Sequence, residues 1–99
     1  MALRVRRSTG NVFRDLGFGR QEAEHLRVRS DLMISIIGLL KARGLNQAQG
    51  ARLLGVSQPR VSDLTRGKID RFSIDTLVEM LGRAGVRVSI VVRRGRRVA

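Results

Sequence analysis

The stretch from Leu45 to Gly67, LNQAQGARLLGVSQPRVSDLTRG, constrains this chain more than any other. It reads as two short helices joined by a tight turn. Asn46 is placed to cap the first helix, and Gln49, three residues on, is placed to reach back to it, which is the reciprocal pattern of a capping box. Ala48, Ala51 and Leu54 recur at helical spacing, so this helix is expected to bury a stripe. Ala51 is small where a second helix must cross closely. Gly55 stands where the chain leaves the helix in the left-handed conformation that glycine adopts at little cost. Val56 is the apolar plug of the turn. Ser57 can cap the second helix, and Pro59 falls in its first turn, where a missing N–H does no harm. Val61 and Leu64 are its apolar anchors. That spacing leaves Gln58, Arg60, Ser62, Asp63 and Thr65 facing outward, a surface suited to a polar partner.

The segment resembles the helix-turn-helix of the phage-repressor (XRE, Cro/cI-like) regulators. The resemblance rests on Gln47 opening the first helix, the small crossing residue Ala51, the turn glycine Gly55, the inward Val61 and Leu64, and the closing Arg66-Gly67-Lys68. One position departs. Gly50 stands where the family usually carries an apolar side chain, and glycine inside a helix costs about 1 kcal/mol relative to alanine; Leu53 or a residue of the preceding helix is expected to fill the space. The resemblance implies a mainly α, five-helix-type repressor-like domain with one C-terminal β-strand. It also implies sequence-specific binding of double-stranded DNA.

Residue roles follow by position in that motif. Gln58 is expected to read a base in the major groove, since glutamine can bond adenine through its amide. Arg60 is expected to read guanine or to hold a phosphate. Ser62 and Asp63 lie on the same exposed face, where Asp63 either accepts from a cytosine amino group or orients a neighbouring arginine. Gln47, at a helix N-terminus, is expected to bond a phosphate beside the backbone N–H groups there. Ser57, Arg66 and Lys68 complete the expected phosphate contacts.

Composition agrees. Twenty basic residues face eight acidic ones, a net charge of +12, and all but two of the bases are arginine. The excess is spread along the chain, so polyanion binding with a counterion-release component is expected. Three aromatics, all phenylalanine, argue against single-stranded nucleic acid, whose binders use stacking platforms. Without cysteine there is no disulfide or thiolate metal site. The basic opening MALRVRR is followed by no apolar stretch, and the run Leu32–Leu40 is far short of the ~20 residues that span a membrane. A cytoplasmic location is the expectation.

In 99 residues a single domain is expected over 11–92, between a mobile basic arm (1–10) and a basic tail (94–99). Residues 11–19 read as an ordered loop that tucks Phe13, Leu16 and Phe18 onto the domain. Residues 21–43 read as helix, acidic early and basic late as the dipole prefers, stopped by Gly44. Its apolar stripe is wide, and one helix or two broken near Ser30-Asp31 both fit. Ser73 is expected to cap a further helix to about Ala84, with Ile74, Leu77, Val78 and Leu81 inward. Residues 86–93 alternate as a strand with Val86, Val88, Ile90 and Val92 on its buried face.

A lone strand cannot persist. Apart from a weak candidate at Leu3–Arg6, no second strand offers itself, so a homodimer joined through Val86, Val88, Ile90 and Val92 is expected, in keeping with two-fold operators. The lead-in 11–17, the segment FSIDTLVEML and the terminal strand are together similar to a small XRE subgroup related to HigA-type antitoxins. That similarity implies an autoregulating repressor and, as a possible partner, a small RelE-like toxin. The alternatives are an antitoxin whose main role is neutralising the toxin, and a sequence-tolerant DNA-coating protein. Enzyme readings fail: the single histidine, His25, has neither cysteine nor clustered carboxylates beside it, and no phosphate-binding glycine motif is present. No catalytic residue, cofactor, metal or small-molecule substrate is expected.

Overall fold

A helix of 23 residues, α1 (Arg20–Ala42), is the spine on which the rest of the chain is assembled. The computed structural model describes residues 2–5 and 19–92. Whether this stretch is one helix or two is decided by its local bonding. The Arg27 guanidinium donates to Asp31 at 2.8 Å across the suspected break, with a second bond to Glu24 at 3.0 Å on one side and the Ser35 hydroxyl donating to the Asp31 carbonyl at 2.8 Å on the other, and the helix runs through unbroken. Leu26, Leu32, Met33, Ile36, Leu39 and Leu40 are all buried, which keeps the helix anchored on both sides of Asp31. Gly44 ends it in a left-handed conformation, φ 63°.

After α1 come α2 (Gln47–Leu54), α3 (Gln58–Thr65), a 3-10 turn (Ile69–Arg71), α4 (Ile74–Arg83) and β2 (Arg87–Ile90), while β1 (Ala2–Val5) precedes them all. The architecture is mainly α, with four α-helices and a 3-10 turn among the described residues rather than the five helices expected. The difference arises because α1 is unbroken and because the Ile69–Arg71 turn is too short to become an α-helix. Ser73 caps α4 as expected, accepting from the Thr76 N–H at 3.1 Å. Leu77 and Leu81 point inward with Met80, and Ile74 and Val78 are half-buried.

The C-terminal strand also differs from expectation. It has an in-chain neighbour: β1 lies parallel to β2, with Ala2 beside Arg87 and Val5 beside Ile90. Residues 2–5 are therefore a strand and not part of a mobile arm, one residue ahead of the weak strand candidate at Leu3–Arg6. A parallel pair needs a long crossover, and here the whole helical body supplies it. The expected loop at 11–18 with Phe13, Leu16 and Phe18, the rest of the basic arm and the tail at 94–99 lie outside the described residues. The strand is shorter than the expected 86–93, and along its expected buried face Val86 is buried and Val88 half-buried, but Ile90 and Val92 are 56% and 89% exposed.

The core joins α1, α2, α3 and α4 around Ile36, Leu54, Leu64, Phe72, Leu77 and Leu81, each essentially inaccessible to solvent. On α2 the buried stripe is Gly50, Ala51 and Leu54; Ala48, expected inward, is exposed. The space an apolar side chain would take at Gly50 is filled by Leu40 of α1, not by Leu53. A Cβ at Gly50 would lie 3.2 Å from one Leu40 methyl and 3.7 Å from Val61. Gly50→Val is therefore expected to overpack this contact and lower stability by about 1–3 kcal/mol in denaturant unfolding. In a double-mutant cycle Leu40→Ala recovers part of that loss; strict additivity would mean that the two sites do not share the space.

Candidate nucleic-acid interface

Both bonds of the expected capping box form. The Gln49 N–H donates to Asn46 Oδ1 at 2.8 Å and the Asn46 N–H donates to Gln49 Oε1 at 3.0 Å. Gln49 is thus spent on the helix start, and Gln47 is left exposed beside it in the first turn of α2. Gly55 turns the chain at φ 69°, ψ 32°, and the Arg83 side chain lies where a Cβ would stand. Val56 is half-buried in the turn. Ser57 occupies the N-cap of α3 but makes no side-chain cap bond, contrary to expectation; its carbonyl instead accepts the N–H groups of Arg60 and Val61. Pro59 sits in the first turn of α3, where no backbone donor is required.

Val61 and Leu64, at 1% and 0% exposure, seat α3 on the core. Gln58, Pro59, Thr65 and Arg66 are exposed and Ser62 is half-buried. Arg60 and Asp63 do not simply face outward as the spacing predicted. They turn toward the segment that follows the helix. The Arg60 guanidinium stacks 4.4 Å from the centre of the Phe72 ring, and its Nη1 donates to the Arg71 carbonyl at 3.0 Å. Such a stack is worth about 0.5–2 kcal/mol, depending on how dry it is. Asp63 accepts from Arg71 Nη1 at 3.0 Å, and Lys68 Nζ lies 3.6 Å from its other oxygen.

Partial burial tends to raise the Asp63 pKa, but the Arg71 hydrogen bond and the two neighbouring cations outweigh it, so the carboxyl is held below its ordinary range. Its contribution to stability is present above the ordinary aspartate value and is lost as pH falls through the lowered one. A third arginine holds the same segment from behind. Arg29 of α1 donates to the carbonyls of Ile69 and Phe72, at 3.2 and 3.5 Å.

Two helices joined by a glycine turn, with a polar outer face on the second, have the arrangement of a helix-turn-helix. A family model described as a helix-turn-helix domain matches residues 12–93. The chain belongs to that helix-turn-helix family. A solved structure described as "Putative XRE Family Transcriptional Regulator" superposes with a TM-score of 0.71 and is 31% identical, covering 79% of this chain and 91% of that one. No protein with a curated description matches the chain.

Within the helix-turn-helix domain, the structure brings Arg60, Asp63 and Lys68 together with Arg71 at the end of α3. Gln47, Ser57, Gln58 and Arg66 remain exposed at the starts of α2 and α3 and just after α3. Sequence reasoning missed Arg71, Phe72 and Arg29. Each acts across elements, so no spacing within one helix points to it. The one available signal was Asp63, whose alternative role was to orient a neighbouring arginine. No described helix is long and apolar enough to cross a membrane.

Proposed function

We propose that this helix-turn-helix protein is a dimeric, sequence-specific repressor of the XRE type, with autoregulation in the manner of HigA-like antitoxins as its setting. The observation that carries the reading is the presentation of α3: two buried anchors fix the helix while Gln58, at its first turn, stands exposed. Gln58 and Ser62 read base edges. Gln47, Ser57, Arg66 and Lys68 hold phosphates, which set the register without reading sequence. Supporting the Ser57 assignment, its hydroxyl is not used to cap its own helix. For the dimer, the support is the exposed Ile90 at the end of β2 and the exposed Val92 just past it, beside a β2 edge that no second described strand pairs.

Selection of bound sites from random duplex DNA, at near-physiological salt with excess nonspecific competitor, tests the proposal. The expected product is a two-fold symmetric site with half-site centres about one helical turn apart. A single unsymmetric half-site would remove the dimer. Recovery of nothing above background would remove sequence-specific regulation and leave charge-driven binding.

A further inference from the structure

We propose that Arg71 is a DNA-backbone contact and that Asp63 is the residue that positions it, so that an acidic side chain on α3 strengthens DNA binding. The inference rests on the DNA-binding reading and extends it to a residue outside the helix-turn-helix motif.

The geometry is that of an arginine mounted on a fixed base. The segment carrying Arg71 is tied at three consecutive-region carbonyls: Ile69 and Phe72 accept from Arg29, and Arg71 itself accepts from Arg60. The Phe72 side chain is buried at 1% exposure, which pins the segment from below. From this base the Arg71 side chain rises beside α3, where Asp63 takes one of its two terminal nitrogens. The two members of the pair are unequal in exposure. The Asp63 side chain is 17% exposed and the Arg71 side chain 57% exposed, so the carboxylate is sheltered and much of the arginine remains open to solvent.

A guanidinium carries five N–H donors in a rigid fork, and one anchored edge leaves others for a phosphate. Ordering the side chain beforehand reduces the entropy lost when the phosphate arrives. Asp63 does not leave the cluster acidic, because Lys68 shares it, and the three side chains together carry one net positive charge. Arg66, the residue that ends α3 between Asp63 and Lys68 in sequence, is exposed. The cationic surface therefore continues past α3 onto the 3-10 turn.

The sign of one substitution separates this from simple electrostatics. Asp63→Asn removes a negative charge from a cationic surface. If charge alone mattered, binding to every duplex would tighten and the salt slope would steepen. If Asp63 positions Arg71, binding weakens despite the gain in positive charge.

The experiment is a salt titration of binding to one selected duplex and one unrelated duplex, for the full chain and for Asp63→Asn, Arg71→Ala and the double variant, with thermal melting of each to confirm the fold. Arg71→Ala is expected to weaken binding to both duplexes by roughly fivefold to tenfold and to lower the salt slope by about one. Asp63→Asn is expected to weaken binding in the same direction, and to have no weakening effect once Arg71 is alanine. Tighter binding by Asp63→Asn, equal weakening with and without Arg71, or an unchanged slope in Arg71→Ala would each overturn the inference. Failure of the unmodified chain to bind either duplex would instead overturn the DNA-binding reading itself.

Discussion

Phe72→Ala is expected to cost about 3–5 kcal/mol of folding stability, the largest effect of any substitution considered. Its ring is buried at 1% exposure in the core shared by α1, α3 and α4. Truncation leaves a cavity that the surrounding helices can only partly close, and it removes the surface on which Arg60 stacks. A domain of this size has roughly 5–15 kcal/mol in total, so the variant would stand near the limit of cooperative folding. In urea unfolding the midpoint should fall with little change in slope. Phe72→Leu keeps most of the bulk without the aromatic face, and should lose distinctly less. A loss below about 1 kcal/mol for Phe72→Ala would contradict a central place in the core.

Gln58→Ala is expected to remove about 1–3 kcal/mol of discrimination between the selected site and unrelated DNA, roughly a 5- to 150-fold loss of preference. Salt-sensitive background binding should remain, because the residues proposed to hold phosphate lie elsewhere. Arg66→Ala should act the other way, weakening all sequences alike and lowering the salt slope by about one. Competition assays on the two duplexes at several salt concentrations separate the two patterns. If both variants behave alike, the division between base-reading and phosphate-holding residues is wrong.

The motif was legible because its signals are local. Asn46 with Gln49, the left-handed Gly55, Pro59 in a first turn and Ser73 with Thr76 each involve residues within one turn of one another, and the structure shows each where the spacing placed it. The inward Val61 and Leu64 follow from helical periodicity alone. Local reasoning failed at two positions of the same motif. Ser57 looks like a side-chain cap, yet its hydroxyl makes no cap bond. Ala48 fits the apolar period, yet it lies on the solvent side of α2 because the crossing with α1 and α3 is centred on Gly50 and Ala51.

By itself, then, the sequence determined the helix-turn-helix, the mainly α architecture and the exposed start of α3, since capping, turn geometry and amphipathic period act within a few residues. Only the tertiary structure decided that Leu40 fills the space at Gly50, that Arg29 and Arg60 bind the carbonyls of the segment around Phe72, and that Asp63 faces Arg71. It also decided that the C-terminal strand lies beside residues from the opposite end of the chain. Those contacts join residues far apart in sequence, whose meeting depends on how whole helices pack rather than on any preference of the residues themselves.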